Sequence, residues 1–283
     1  MNKKGSPMRN FLKILRGVFF LHMSSGSLAA AFLPQGFVYL KSVDPTIIQE
    51  LRYAGYHNFV GRPVKGYEQA SSCILTQEAA EALKRVQADL RRSSLSLKVY
   101  DCYRPQMAVD DFMAWRKDLQ HQETKQEFYP KVNKTDVFKL GYVAEKSGHS
   151  RGSTMDLTIV PLPVPQQTSY YRGQKLVACF APYRQRFRDN SIDMGSGYDC
   201  FDEVAHVDYE AISRLAHYNR EILNKAMVKQ GFVPYAKEWW HFTLKNEPYP
   251  KTYFNFPLSS SRNLHSLISK SAPLSSTVLI SGL

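Results

Sequence analysis

The sequence predicts an α+β fold, and three observations carry that prediction. Leu95, Leu97, Val99 and Tyr100, and again Met155 to Val160, are short runs rich in alternating or β-branched residues, the mark of strands. Gly231 to Leu244 has the form of a closing hairpin whose second strand carries Trp239-Trp240-His241. Apolar residues at helical spacing fill stretches between them, most clearly Ala79, Ala80, Leu83, Val86 and Leu90.

At 283 residues, 43% of them hydrophobic, the chain can bury a sizeable core as one large domain or two small ones. Its formal charge of +12 is a poor pointer to nucleic acid. Lys3, Lys4, Arg9, Lys13 and Arg16 supply five of those charges in an acid-free leader, and Arg262 and Lys270 supply two more in the tail. The five left over form no basic block with interleaved aromatics, so no nucleic-acid partner is expected. Basic residues, then Gly17 to Leu21, then Ala29-Ala30-Ala31 follow the order of a secretory signal. Residues 1–31 therefore read as a signal peptide or basic apolar leader, and a periplasmic or exported location is expected. Lys13, Arg16 and His22 interrupt the apolar part, which leaves open an uncleaved anchor, a start at Met8 or Met23, and a cytoplasmic protein. No other apolar run approaches bilayer length, so no stable membrane insertion is expected once the leader is gone. Residues 32–257 read as a single domain, and 258–283 as a Ser-rich, flexible tail. Cys73, Cys102, Cys179 and Cys200 include no Cys-x-x-Cys pair, which argues against a thiolate metal site. They are either one or two disulfides, if the protein is exported, or four buried thiols.

Taken in order, Phe37 to Leu40 is a short apolar run, and Asp44 is placed to cap a short helix over Ile47 to Leu51. Asn58 to Pro63 reads as strand and turn. Thr76 caps the helix that carries the Ala79–Leu90 stripe. The strand from Leu95 ends at Asp101-Cys102-Tyr103-Arg104-Pro105, and Gln106 to Trp115 is the helix that follows. Residues 116–146 read as helix plus loop. On the strand from Met155, Asp156 and Thr158 share one face, with Leu157 and Ile159 on the other. Gln166 to Asn190 has no period and reads as an inserted surface loop. Met194 to Asp199 is Gly-rich but lacks the Lys-Ser/Thr of a phosphate loop, so it reads as a turn presenting Asp199. Val204 to Lys229 is a long amphipathic helical region.

The chemistry concentrates in two clusters. Ser147-Gly148-His149-Ser150-Arg151-Gly152-Ser153-Thr154-Met155-Asp156 places a His and an Asp on either side of a Gly that eases a turn between them. Glu238-Trp239-Trp240-His241 lies far downstream. His149, Asp156 and His241 offer two nitrogens and an oxygen, a donor set that suits zinc with one position left open, and Glu238 can then act as a base on water. Glu238 and His241 would face opposite ways on a regular strand, so a bend at Trp239-Trp240 must bring them together. The two Trp are placed to wall the pocket. Singly, each residue has an ordinary structural explanation; together they point to a metal-dependent hydrolase.

The pattern Ser147-x-His149-x-x-Gly152-x-x-x-Asp156 with Glu238-x-x-His241 resembles the signature of the zinc D-alanyl-D-alanine dipeptidases, within the wider hedgehog/DD-peptidase group. Leu51-Arg52-Tyr53-Ala54 with Asn58-Phe59, Asp101-x-Tyr103-Arg104-Pro105, Met194-Gly195 through Asp199 to His206, and Glu247-Pro248-Tyr249-Pro250 extend the likeness over roughly residues 37–257. The stretch between Asp156 and Met194 is longer than is usual for that family, and Thr154 stands where the wider group often has Ala.

The resemblance implies a central antiparallel sheet flanked by helices and one zinc ion held by His149, Asp156 and His241. It implies Glu238 as general base and acid, and Arg104, oriented by Asp101, as the stabiliser of the oxyanion. Asp199 would anchor the free amine, with Ser147 and Tyr53 as further substrate-binding residues. The expected reaction is hydrolysis of D-Ala-D-Ala, in peptidoglycan turnover or in glycopeptide resistance. A D,D-carboxypeptidase acting on peptidoglycan stems is the alternative within the group, and a non-catalytic zinc-binding module the alternative outside it.

Overall fold

The computed structural model describes residues 33–258, so the expectations for the leader and for the tail past Leu258 lie outside the described residues. In chain order the elements are β1 (Phe37–Tyr39), α1 (Leu40–Val43), β2 (Ile48–Gln49), β3 (Ile74–Thr76), α2 (Gln77–Arg91), β4 (Leu95–Asp101), α3 (Gln106–Trp115), α4 (Lys125–Phe128), β5 (Thr154–Pro161), α5 (Arg214–Lys229), β6 (Phe232–Tyr235) and β7 (Glu238–Leu244). Short 3-10 turns lie at Arg52–Ala54, Gly148–Arg151 and Glu203–Ala205. The main sheet has the order β2-β4-β5-β7-β6, and β1 pairs with β3 separately. The α+β class and the central sheet stand as expected. That sheet is antiparallel except at its edge, where β2 runs parallel to β4.

α2 forms where its stripe and its cap agree. Thr76 accepts from the Ala79 amide at 3.4 Å, and Ala79, Ala80, Leu83, Val86 and Leu90 are all buried. α2 and α5 pack on each other and on the sheet, and close the first core with Leu97, Val99, Leu157, Ile159 and Leu223. Both faces of β5 are covered, which is why its residues from Thr154 to Val160 are all buried. A second, aromatic core gathers Tyr53, Phe59, Phe112, Trp115, Phe128, Tyr129 and Phe201. Leu258, the first residue of the expected tail, is buried in it. Among the described residues no helix is long and apolar enough to cross a membrane. The four Cys form two disulfides, Cys73–Cys102 and Cys179–Cys200.

Several local expectations give way to tertiary pairing. Asp44 caps no helix at Ile47–Leu51. Its Oδ1 accepts from the Thr46 amide (2.9 Å) and hydroxyl (2.6 Å), and Ile48 and Gln49 stay extended because they pair with Lys98 and Val99 of β4. Asn58 to Pro63 forms turns and no strand; the Asn58 side chain ties them, accepting from the Val60 and Gly61 amides. Residues 116–146 hold one helical turn, α4, and are otherwise organised by the buried Lys134 ammonium on the carbonyls of Asp118 and His121. Past the 3-10 turn at Glu203–Ala205, the region from Val204 becomes α-helical only at Arg214, where Ser213 accepts from the Ala216 amide at 3.1 Å. Gln166–Asn190 has no helix or strand, as expected, but it is more than a surface loop. Lys98, fully buried, donates to Gln167 Oε1 (2.8 Å) and the Asp189 carbonyl, Tyr100 donates to the Asp189 carboxylate, and Tyr170 stacks on His57 at 4.4 Å.

Candidate active site

Strand register sets the site. Asp156 on β5 lies opposite His241 on β7 and opposite Asp101 on β4. The register with β4 shifts between Val99 and Asp101, so Tyr100 is an extra residue there, a bulge at the end of the strand. Residues directly opposite on neighbouring strands share a face, so Asp101, Asp156 and His241 form one row across the sheet.

His149 reaches this row from the 3-10 turn Gly148–Arg151. Ser147 caps that turn, its hydroxyl accepting from the His149 amide at 3.3 Å. Gly152 closes it at φ +85°, and a Cβ there would sit 2.3 Å from the Phe37 ring, so only glycine fits. His149 Nδ1 lies 2.7 Å from the Cys102 carbonyl, and since a carbonyl only accepts, Nδ1 carries the proton. Nε2 is aimed at Asp156 Oδ1 (3.2 Å) and His241 Nδ1 (3.3 Å). His241 Nδ1 is 3.1 Å from the same Oδ1, which is buried. Three donors thus converge on one point, a group that could hold a metal ion.

Burial alone would push His241 down, but Asp156 and Glu238 beside it raise its pKa to about 9. Burial would push the Asp156 carboxyl up, yet His149 and His241 hold it far below the usual carboxylate range. Glu238 Oε2 lies 3.2 Å from His241 Nδ1. The bend required for this contact is present. Pro234 pairs with Phe242 but Tyr235 with Glu238, so Trp239 to His241 bulge out of the ladder with β6 while His241 keeps its register with β5. Trp239 and Trp240 do not wall the cleft; both are core residues behind it, with Trp239 Nε1 donating to Ser196 Oγ at 2.9 Å.

Arg104 lies just beyond β4. Its Nε and Nη2 are each 2.9 Å from Asp101 Oδ2, Nη2 is 3.5 Å from Asp156 Oδ2, and Nη1 is 3.5 Å from Ser147 Oγ. The guanidinium also lies 5.1 Å from the Tyr53 and Phe112 ring centroids. Asp101 is fully buried and accepts from the Tyr67 hydroxyl at 2.5 Å; burial raises its pKa, against the opposing charge of Arg104. Asp199 adopts φ +56°, and its Oδ2 accepts from the Tyr53 hydroxyl at 2.8 Å. Burial, with Asp156 nearby, lifts its pKa well above the ordinary carboxylate value.

Tyr53, Arg104, Ser147, His149, Asp156, Asp199, Glu238 and His241 all border one cavity of about 250 Å³. Asp101, the remaining residue nominated from sequence, stands behind Arg104 rather than in the cavity. Sequence reasoning missed Tyr67, which holds Asp101 from a stretch without periodicity, and the Cys102 carbonyl, which has no side-chain signature. It also missed Lys146, Tyr142 and Tyr235 on the cavity wall. Lys146 could have been found as the neighbour of Ser147.

The chain matches a family model described as D-ala-D-ala dipeptidase (Peptidase_M15), over residues 34–164 and 160–259. It is similar to the D-alanyl-D-alanine dipeptidase of Streptomyces coelicolor, 35% identical over 223 residues, which is 79% of this chain and 98% of the relative. It is 35% identical over 227 residues to that of Enterococcus faecalis, covering 80% of this chain and 100% of the relative. To that of Escherichia coli it is 30% identical over 205 residues, 72% of this chain and 82% of the relative.

A pH consequence follows from the donor set. Below about pH 9 the metal-free protein keeps a proton on His241 that a metal must displace. Metal uptake at pH 7.5 is expected to release about one proton from this residue, measured by titration calorimetry in buffers of different ionisation enthalpy. Uptake without proton release would contradict the assignment.

Proposed function

The chain belongs to the D-Ala-D-Ala dipeptidase family of metallopeptidases, and from that membership and its site we propose that it hydrolyses free D-Ala-D-Ala to two D-Ala with one zinc ion bound. The donor triangle is the observation that carries the zinc reading. Its edges are 3.1, 3.2 and 3.3 Å. A tetrahedral zinc centre with arms of about 2.0–2.1 Å has donor–donor edges of about 3.3–3.4 Å. Two imidazole nitrogens and an ionised oxygen converge on one point, and nitrogen with oxygen is a set zinc accepts. When bound, zinc supplies Lewis acidity and lowers the pKa of water towards neutrality.

The chain's own groups do the rest. Glu238, beside the donors, takes a proton from the attacking water as its oxygen bonds to the scissile carbonyl carbon. It returns that proton to the leaving nitrogen as the C–N bond breaks, so the carboxylate ends as it began. Arg104 donates to the oxygen on which negative charge develops, a contribution of about 10²–10³ in rate for such a donor. Asp101 holds the guanidinium from behind. Asp199 and Tyr53 receive the substrate's free ammonium, which favours the ionised carboxylate, with Ser147 across the cleft.

Export is part of the proposal. The leader-like order of residues 1–31 and the two disulfides support an oxidising compartment, where the enzyme would act in peptidoglycan turnover; a cytoplasmic enzyme would suit glycopeptide resistance. N-terminal sequencing of the mature protein should begin near residue 32, and an intact leader on cytoplasmic material would contradict export.

Glu238→Ala is expected to keep its zinc and lose about 10²–10⁴ in kcat on D-Ala-D-Ala. Wild-type protein should turn over the free dipeptide far faster than a pentapeptide ending in D-Ala-D-Ala. Near wild-type turnover by the variant would remove Glu238 as the base, and preference for the pentapeptide would make the protein a D,D-carboxypeptidase.

A further inference from the structure

The two oxygens of Asp156 have different surroundings. Oδ1 faces His149 Nε2 at 3.2 Å and His241 Nδ1 at 3.1 Å. Oδ2 accepts from the Tyr198 hydroxyl at 3.0 Å, with Arg104 Nη2 farther off at 3.5 Å. The terminal torsion of an Asp side chain is broad, so some other group must decide which oxygen joins the imidazoles and at what angle. Arg104 is engaged with Asp101, at 2.9 Å from both Nε and Nη2, which leaves Tyr198.

Tyr198 is itself fixed. Its ring stacks on Tyr100 at 4.5 Å and 19°, and meets Trp240 edge-on at 5.4 Å. Tyr100 is held in turn by its hydrogen bond to Asp189, which pairs with Arg52 at 3.3 Å. The next residue, Asp199, has φ +56°, and its side chain also lines the cleft; Cys200, after it, is bonded to Cys179. Two consecutive residues therefore serve the site from a backbone that has little freedom to move. We infer that Tyr198 is a positioning residue that, through its hydroxyl on Oδ2, presents Asp156 Oδ1 as the third metal donor. The inference rests on the metal reading above. It also gives the long segment after Asp156 a part in the site, through Asp189 and Tyr100.

Tyr198→Phe removes the hydroxyl and keeps both ring contacts, so the near-UV circular dichroism and cooperative unfolding of the full chain should match wild type. Its Zn²⁺ dissociation constant, measured by chelator competition, is expected to rise about 10–100-fold. The Co²⁺-loaded variant should show altered d–d bands, a readout independent of turnover. A dissociation constant within about twofold of wild type, or an unchanged cobalt spectrum, overturns the inference. Failure of the wild-type chain to take up Zn²⁺ would instead overturn the metal reading itself.

Discussion

The register between β5 and β7 is the constraint on which the site depends. It sets Asp156 opposite His241, and the bulge at Tyr100 adds Asp101 to the same row. A slip of one residue would turn Asp156 to the other face of the sheet and leave His241 opposite Met155 or Leu157. The register is held by burial on both faces of β5, and by α2 and α5 on one side. His149 comes from outside the sheet, and its orientation depends on the Cys102 carbonyl. Cys102 is tied to Cys73 across 29 residues, a closure worth roughly 3–4 kcal/mol on the chain-entropy model. The disulfide thus fixes the acceptor that sets the tautomer of His149.

Charge is buried at considerable cost around this row, and the pattern of compensation is consistent. Asp101 is satisfied by Arg104 and Tyr67. Arg52 and Lys98 are satisfied by Glu50 and by Asp189. Asp156 Oδ1 lies at the centre, buried and flanked by the imidazoles of His149 and His241. That oxygen, between two imidazoles, is where the proposed metal would take its third donor.

Much of this was legible in the residues. Asp156 and Thr158 on a β-branched run, the Thr76 cap with its apolar stripe, and the glycine at 152 each act through local physics, and each took its expected form. The Glu238–His241 contact was legible as a requirement, because two residues three apart on a strand cannot share a face without a bulge. What the residues did not disclose depends on distant partners. Ile48 and Gln49 became a strand because β4 offered them a ladder, against the local cap at Asp44. The segment 166–190 has no period of its own, and its order comes from Lys98, Tyr100, His57 and the Cys179–Cys200 bond. Trp239 and Trp240 look the same in sequence whether they wall a pocket or fill a core, and here they fill the core.

The central claim is that His149, Asp156 and His241 together hold a catalytic zinc ion. Zinc-edge X-ray absorption on the purified, metal-loaded chain tests it most directly. The account predicts about one zinc per chain, with nitrogen and oxygen scatterers at about 2.0–2.1 Å and the outer-shell signature of two imidazoles. Sulfur scattering at about 2.3 Å, or a spectrum without imidazole, would contradict it.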